Sequence, residues 1–132
     1  MTDVTAPHIR LARPTRDLEA TAAFYTGALG LRVLAKFEGH AGIDGVMLGH
    51  PEWPYHLELT RRRRCPLTPT PTAEDLLVIY LPLRAAWASA VEQLRAFGAN
   101  EVVNSNPYWH ENSLTFEDPD GYLIVLQNAA WP

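Results

Sequence analysis

HIRLARPTRDLEATAAFYTGALG, residues 8–30, decides the fold once it is set beside LLVIYL (76–81) and AAWASAVEQLRAFGA (85–99). In both places a short apolar strand runs into an amphipathic helix with an aromatic residue near its end. Both then continue into short strands and close on an alternating one, YHLELT at 55–60 and YLIVLQ at 122–127. The same design therefore occurs twice, over 8–60 and over 76–127. A repeat of this length implies that one half-sheet cannot bury its face alone. The expectation is an α+β fold of two βαβββ modules forming a curved mixed sheet around a central cleft. Such a cleft is a natural place for a small ligand.

Length and composition bound the rest. The 132 residues suffice for one compact domain with a core. Module one is expected at about 7–60, a linker at about 61–75 and module two at about 76–128. Net charge is −4, which gives no footprint for nucleic acid or an anionic membrane surface. No apolar run approaches the roughly 18–20 residues that span a bilayer. The first ten residues, MTDVTAPHIR, lack the basic and apolar regions of a signal peptide. Cys65 is the single cysteine, so no intrachain disulfide forms. A cytoplasmic protein is the expectation.

Local signals place the elements. Strand one is expected at 8–12, ended by Pro14, which cannot donate to a ladder. Thr15 or Asp17 can cap the helix carrying Leu18, Thr21, Ala22, Tyr25 and Leu29, and Gly30 is a plausible stop. Strands follow at 31–37, 46–48 and 56–60. Gly39, Gly42 and Gly45 read as punctuating a loop that carries His40 and Asp44, either a plain turn or a cover over the cleft. The stretch RRRRCPLTPTPTAED breaks all periodicity and reads as the linker. Its run Arg61–Arg64 reads as a solvated charge run, with an anion site as the alternative. In module two a helix over 85–97 should stop at Gly98, and DPDG at 118–121 should form a turn.

The helix pattern DLEATAAFYTGALGL together with the late FEDPDGYLIVLQ resembles the vicinal oxygen chelate superfamily of glyoxalase I, bleomycin-resistance proteins and extradiol dioxygenases. The segments ARPT, DGVM, YHLELT and NPYW resemble a functionally uncharacterised glyoxalase-like branch of it. In metal-using members, the resemblance implies, four ligands come from the first and last strands of both modules. Aligning HIRLA with LLVIY and HLEL with LIVL puts those points at His8, Glu58, Leu76 and Val125. Leucine and valine offer no donor, so the usual four-ligand site cannot be built. No metal or other cofactor is expected. The alternative is a divalent ion on His8, His56 and Glu58, two imidazoles and a carboxylate.

The residues themselves suggest roles. Alternation puts His56 and Glu58 on one strand face, and Arg10 faces the same way as His8. Arg10 is expected to be buried and therefore paired, either with Glu58 or with an anionic group on a ligand. Glu58 is the best general-base candidate, with His8 as its catalytic companion. Tyr80 should face the cleft. Tyr108 and Trp109, followed by His110, should wall its mouth as an apolar, partly polar surface. His50 and Trp53 read as surface or dimer residues.

The leading expectation is binding of a small organic molecule with a polar or anionic head. Module one would supply polar groups, and Leu76, Val78, Leu123 and Val125 an apolar wall. This resembles the antibiotic-binding members. The alternative is a metal-dependent lyase, isomerase or dioxygenase using His8, His56 and Glu58. A homodimer is expected, with its pockets formed mainly within each chain.

Overall fold

The structure, a computed structural model, describes residues 5–132. The chain divides into two compact units, one ending at Pro69 and the other beginning at Thr70. The first carries β1 (Ile9–Pro14), α1 (Leu18–Gly27), β2 (Arg32–His40), β3 (Ile43–Gly49) and β4 (Tyr55–Arg62). The second carries β5 (Leu76–Tyr80), α2 (Arg84–Phe97), β6 (Asn100–Val102), β7 (Ser113–Glu117) and β8 (Leu123–Gln127). Both units are βαβββ modules, each a four-stranded mixed sheet with a helix. Their strand orders are β1-β4-β3-β2 and β5-β8-β7-β6. In each, the first strand runs parallel to the last and the remaining pairs are antiparallel. No helix of the described residues is long and apolar enough to cross a membrane.

The helices start and stop where local chemistry dictates. Asp17 caps α1, its carboxylate accepting the Ala20 N–H at 3.0 Å. α1 buries Leu18, Thr21, Phe24 and Tyr25. The sheet meets that stripe with Val46, Leu48, Leu57 and Leu59, all buried. α2 ends at Gly98, whose φ of 90° lets its N–H reach back to the carbonyls of Arg95 and Leu94. Its buried residues are Val91 and Leu94, and the Trp87 indole donates to the Leu126 carbonyl at 2.9 Å. In the DPDG turn, the Asp118 carboxylate accepts the N–H groups of Asp120 and Tyr122.

Three expectations change. β1 runs on through Pro14 instead of stopping before it, because Pro14 is the terminal residue of an edge strand and owes no ladder donor. The glycine-rich stretch is no loop. It is a tight β2–β3 hairpin turning at Ala41 and Gly42, both with positive φ, so His40 closes β2 and Asp44 sits inside β3. The linker also starts later than residue 61, since β4 includes Arg61 and Arg62. The arginine run is not simply solvated either. Arg61 and Arg63 both pair with the buried Asp44, at 3.1 and 2.8 Å.

Candidate functional site

β4 carries His56, Glu58 and Thr60 on the face opposite Leu57 and Leu59, because side chains alternate along a strand. β1 lies beside it in register, Arg10 against His56 and Ala12 against Glu58. β3 flanks the other side, Met47 against Glu58, with Gly49 near His56. A Cβ at Gly49 would meet the His56 Cβ at 3.4 Å, an ordinary packing distance.

Four of the expected residues meet on this face. The Arg10 Nε donates to His56 Nε2 at 3.0 Å, and an Arg10 terminal nitrogen lies 3.4 Å from Glu58 Oε2. His56 Nδ1 and His8 Nε2 are 2.6 Å apart. A guanidinium can only donate, so His56 Nε2 must be its acceptor. The imidazole proton then sits on Nδ1 and is donated to His8. The result is a directed chain: Glu58 holds Arg10, Arg10 donates to His56, and His56 donates to His8. Partial burial, with the charges of Arg10 and His8, lowers the His56 pKa against the opposing pull of Glu58. That direction agrees with a neutral ring.

Arg10 differs from the expectation of a buried arginine. Its side chain is 50% exposed, while that of Glu58 is 10% exposed. The carboxylate is the buried partner and the guanidinium the accessible one, since β1 is an edge strand. Both of the anticipated pairings are therefore compatible: Arg10 is tied to Glu58 and still presents an open edge. Its Nη2 has no partner among the described residues.

The strand registers also revise the alignment of the two modules. Glu58 and Val125 occupy matching places in β4 and β8. Their partners on the first strands are Ala12 and Val78. Leu76 therefore corresponds to Arg10, and not to His8 as the sequence alignment had it. At the first-strand point of module one stands a guanidinium, which stays protonated and cannot ligate a metal.

In the alternative triad of His8, His56 and Glu58, the histidines are bonded to each other and to Arg10. His8 Nε2 and His56 Nδ1 are bonded to each other at 2.6 Å, so each spends on the other the lone pair or proton position a ligand would use. The other His56 nitrogen is taken by Arg10. Among the described residues, no group of three His, Cys, Asp or Glu side chains is arranged to hold a metal ion.

The remaining expected residues lie in the second unit. Tyr80 ends β5 on the same face as Val78 and Val125, and meets the Trp131 ring edge at 5.7 Å. Tyr108 and Trp109 sit in a single 3-10 turn, Pro107–Trp109, edge to face at 4.7 Å. Tyr108 is 70% exposed. Trp109 and His110 line a pocket of about 350 Å³ with Asn104, Ser113 and Thr115. His110 Nε2 bonds the Asn104 carbonyl at 2.6 Å, which makes that nitrogen the protonated one. Asn104, Ser113 and Thr115 are buried polar residues that pattern reasoning missed. Only the hydroxyls of SLTFE on an otherwise apolar sheet could have flagged two of them. The His50 and Trp53 rings meet at a tilt, 4.5 Å between centroids, in the first unit, and Trp53 lies flat on Tyr55 at 5.3 Å.

Comparison with known proteins places the fold. The YycE-like N-terminal domain matches residues 9–60 and the YycE-like C-terminal domain residues 74–128. The chain belongs to the YycE-like family. It is 41% identical to the uncharacterised protein YycE of Bacillus subtilis over 124 residues, covering 94% of this chain and 89% of YycE. A 2.0 Å crystal structure of a Bacillus subtilis YycE protein of unknown function, grouped with glyoxalase and fosfomycin resistance proteins, superposes with a TM-score of 0.90 at 40% identity. That match covers 96% of this chain and 93% of the other. The trypanothione-dependent glyoxalase I of Leishmania major shares the fold at a TM-score of 0.70 and 24% identity, covering 91% and 84%. TnmS3, an antibiotic binding protein of Streptomyces, does so at 0.64 and 20%, covering 96% and 98%. YycE-like chains thus form an uncharacterised branch of the vicinal oxygen chelate superfamily.

Proposed function

We propose that this YycE-like chain binds a small organic molecule through an anionic head at Arg10, without a resident metal. The observation that carries the reading is the half-exposed guanidinium tied down by His56 and Glu58. An arginine fixed in this way has less side-chain entropy to lose when an oxyanion docks on its free edge. Gly49 and Met47 on β3 flank His56 and Glu58 with no polar side chain. The cation stands at the strand position where metal-using relatives supply a ligand, so it brings its own positive charge. TnmS3, which shares the fold, is an antibiotic binding protein, and this supports the reading.

The test is a thermal-shift screen of aromatic carboxylates and phosphonates against their neutral alcohols, repeated on Arg10→Ala and Arg10→Lys. Anionic compounds should lose about 2 kcal/mol or more with Arg10→Ala, roughly thirtyfold in Kd, and part of that with Arg10→Lys. Equal binding to wild type and Arg10→Ala sinks the assignment. Elemental analysis of protein purified without chelator should give no stoichiometric zinc, nickel, manganese or iron. Near-stoichiometric metal that disappears in Glu58→Ala would restore the His8, His56 and Glu58 triad.

A second reading, catalysis, is favoured by one observation: Glu58 is nearly buried yet has one charged partner, Arg10 at 3.4 Å. Its second oxygen would then serve as a base toward a molecule held by Arg10, with His8 at the accessible end of the imidazole pair. Turnover of any screening hit that is abolished in Glu58→Gln, with binding retained, would establish it.

A further inference from the structure

Asp44 explains half of the arginine run and leaves the other half unexplained. Its carboxylate is buried and accepts the Gly39 N–H at 2.8 Å, two bonds from Arg61 at 3.1 and 3.2 Å, and bonds from the Nε and Nη2 of Arg63. Those donors fill the roughly four lone-pair sites of a carboxylate. Arg61 is further held by Glu19 at 2.9 Å. The negative charge nearby is therefore spent on Arg61 and Arg63. Glu38 adds an attraction to Arg63 but bonds neither neighbour.

Arg62 and Arg64 alternate with these residues and have no ion-pair or hydrogen-bond partner among the described residues. Two cations without a bonded partner among the described residues lie beside a third, fixed one, and like charges at this spacing repel. They lie around the hairpin tip, where Arg62 pairs with Ile43 and the Arg63 N–H binds the Gly42 carbonyl at 3.0 Å. Between them is a pocket of about 350 Å³ lined by Ala41, Gly42, Ile43, Arg62, Arg63 and Arg64. Asp44 fixes the Arg63 guanidinium, while those of Arg62 and Arg64 have no bonded partner among the described residues and can turn toward a ligand in this pocket.

We propose that this hairpin pocket is a second anion site, for a multiply charged phosphoryl-type oxyanion, free or carried on a small molecule. The two uncompensated guanidinium groups of Arg62 and Arg64 suit two negative charges, and their forked N–H groups match tetrahedral oxyanions. A singly charged carboxylate would leave cations uncompensated. The site uses none of the residues assigned to the Arg10 face, so the two stand or fall separately.

The experiment is isothermal titration of the full chain with pyrophosphate and with glycerol phosphate, against sodium chloride at matched ionic strength. Saturable one-to-one binding is expected, weakened at least tenfold in the Arg62→Ala/Arg64→Ala double variant and unchanged in Arg10→Ala. Amide shifts at Ala41, Gly42 and Ile43 should accompany it in a nitrogen-15 correlation spectrum. Both replaced side chains are exposed, so the double variant should keep the wild-type circular dichroism. Binding of pyrophosphate alone assigns the pocket to a free anion, and binding of both to any small molecule with a phosphoryl group. The proposal is overturned if neither binds, if chloride reproduces the heat, or if the double variant binds as wild type does.

Discussion

Asp44 holds two arginines and a backbone N–H with a carboxyl whose pKa is drawn from an ordinary 3.8 down to about 2, first by the Arg63 bonds and then by the Gly39 N–H. The sign follows from linkage. A carboxyl depressed in the folded state stabilises that state above its unfolded value, and the contribution is lost as pH falls from about 4 through about 2. Arg63→Ala should therefore move the onset of acid unfolding to higher pH, read by circular dichroism across that window. Superimposable acid transitions would count against the pairing. None of this was legible from Asp44 itself, which sat in what read as a glycine-rich loop. Arginines at alternating positions were visible, but their acceptor lies 17 and 19 residues away in sequence, and pairing across strands leaves no local signal. Arg10 shows the same limit. Its neighbourhood with Glu58 and His56 followed from alternation, whereas its exposure depended on β1 being an edge strand.

At the level of elements, the β2–β3 hairpin rests on Gly45. A Cβ there would fall inside the Phe37 ring, which lies directly over the glycine from the paired strand. Gly45→Ala should destabilise the chain by about 1–3 kcal/mol, the usual cost of forcing extra volume into a packed site. Chemical denaturation measures it, and a midpoint within error of wild type would show that Phe37 moves aside freely. The glycines misled for a physical reason: a glycine spared for close packing looks, in sequence, like one spared for a turn. Helices were easier, since Asp17 and Gly98 are chemical boundaries. The two-residue offset between β1 and β5 escaped because side-chain alternation has a period of two. A shift of two positions keeps every residue on its face, so no pattern of polarity reveals it. Only the hydrogen-bonded register separates Arg10 from His8 as the counterpart of Leu76.

For the whole molecule, the duplication was readable from sequence because both copies kept the strand–helix–three-strand order. What diverged was the chemistry on matching strands: Arg10, His56 and Glu58 in one copy, and Leu76, Leu123 and Val125 in the other. An exposed apolar patch on the first copy bears on assembly. Ile9 and Leu11, 62% and 54% exposed, stand on an edge strand beside Tyr55, on which Trp53 stacks. Patches of this kind on an open sheet edge mark protein contacts. Light scattering at micromolar concentration should give a dimer, and Leu11→Glu should shift it toward monomer. A monomeric wild type would remove the claim.

The pairing of first strand with last has a consequence for synthesis. β1 leaves the ribosome first but has no partner until β4 follows, 46 residues later at the Arg10–His56 contact. At about 5–20 residues per second this is a wait of roughly 2–10 seconds. The β2–β3 hairpin can zip in the meantime, while Ile9 and Leu11 remain bare on the nascent chain. The same delay recurs in the second copy, where β5 waits for β8. Each sheet thus finishes by capturing its own first strand, and that strand is the one most open in the interval to chaperones or to a neighbouring nascent chain.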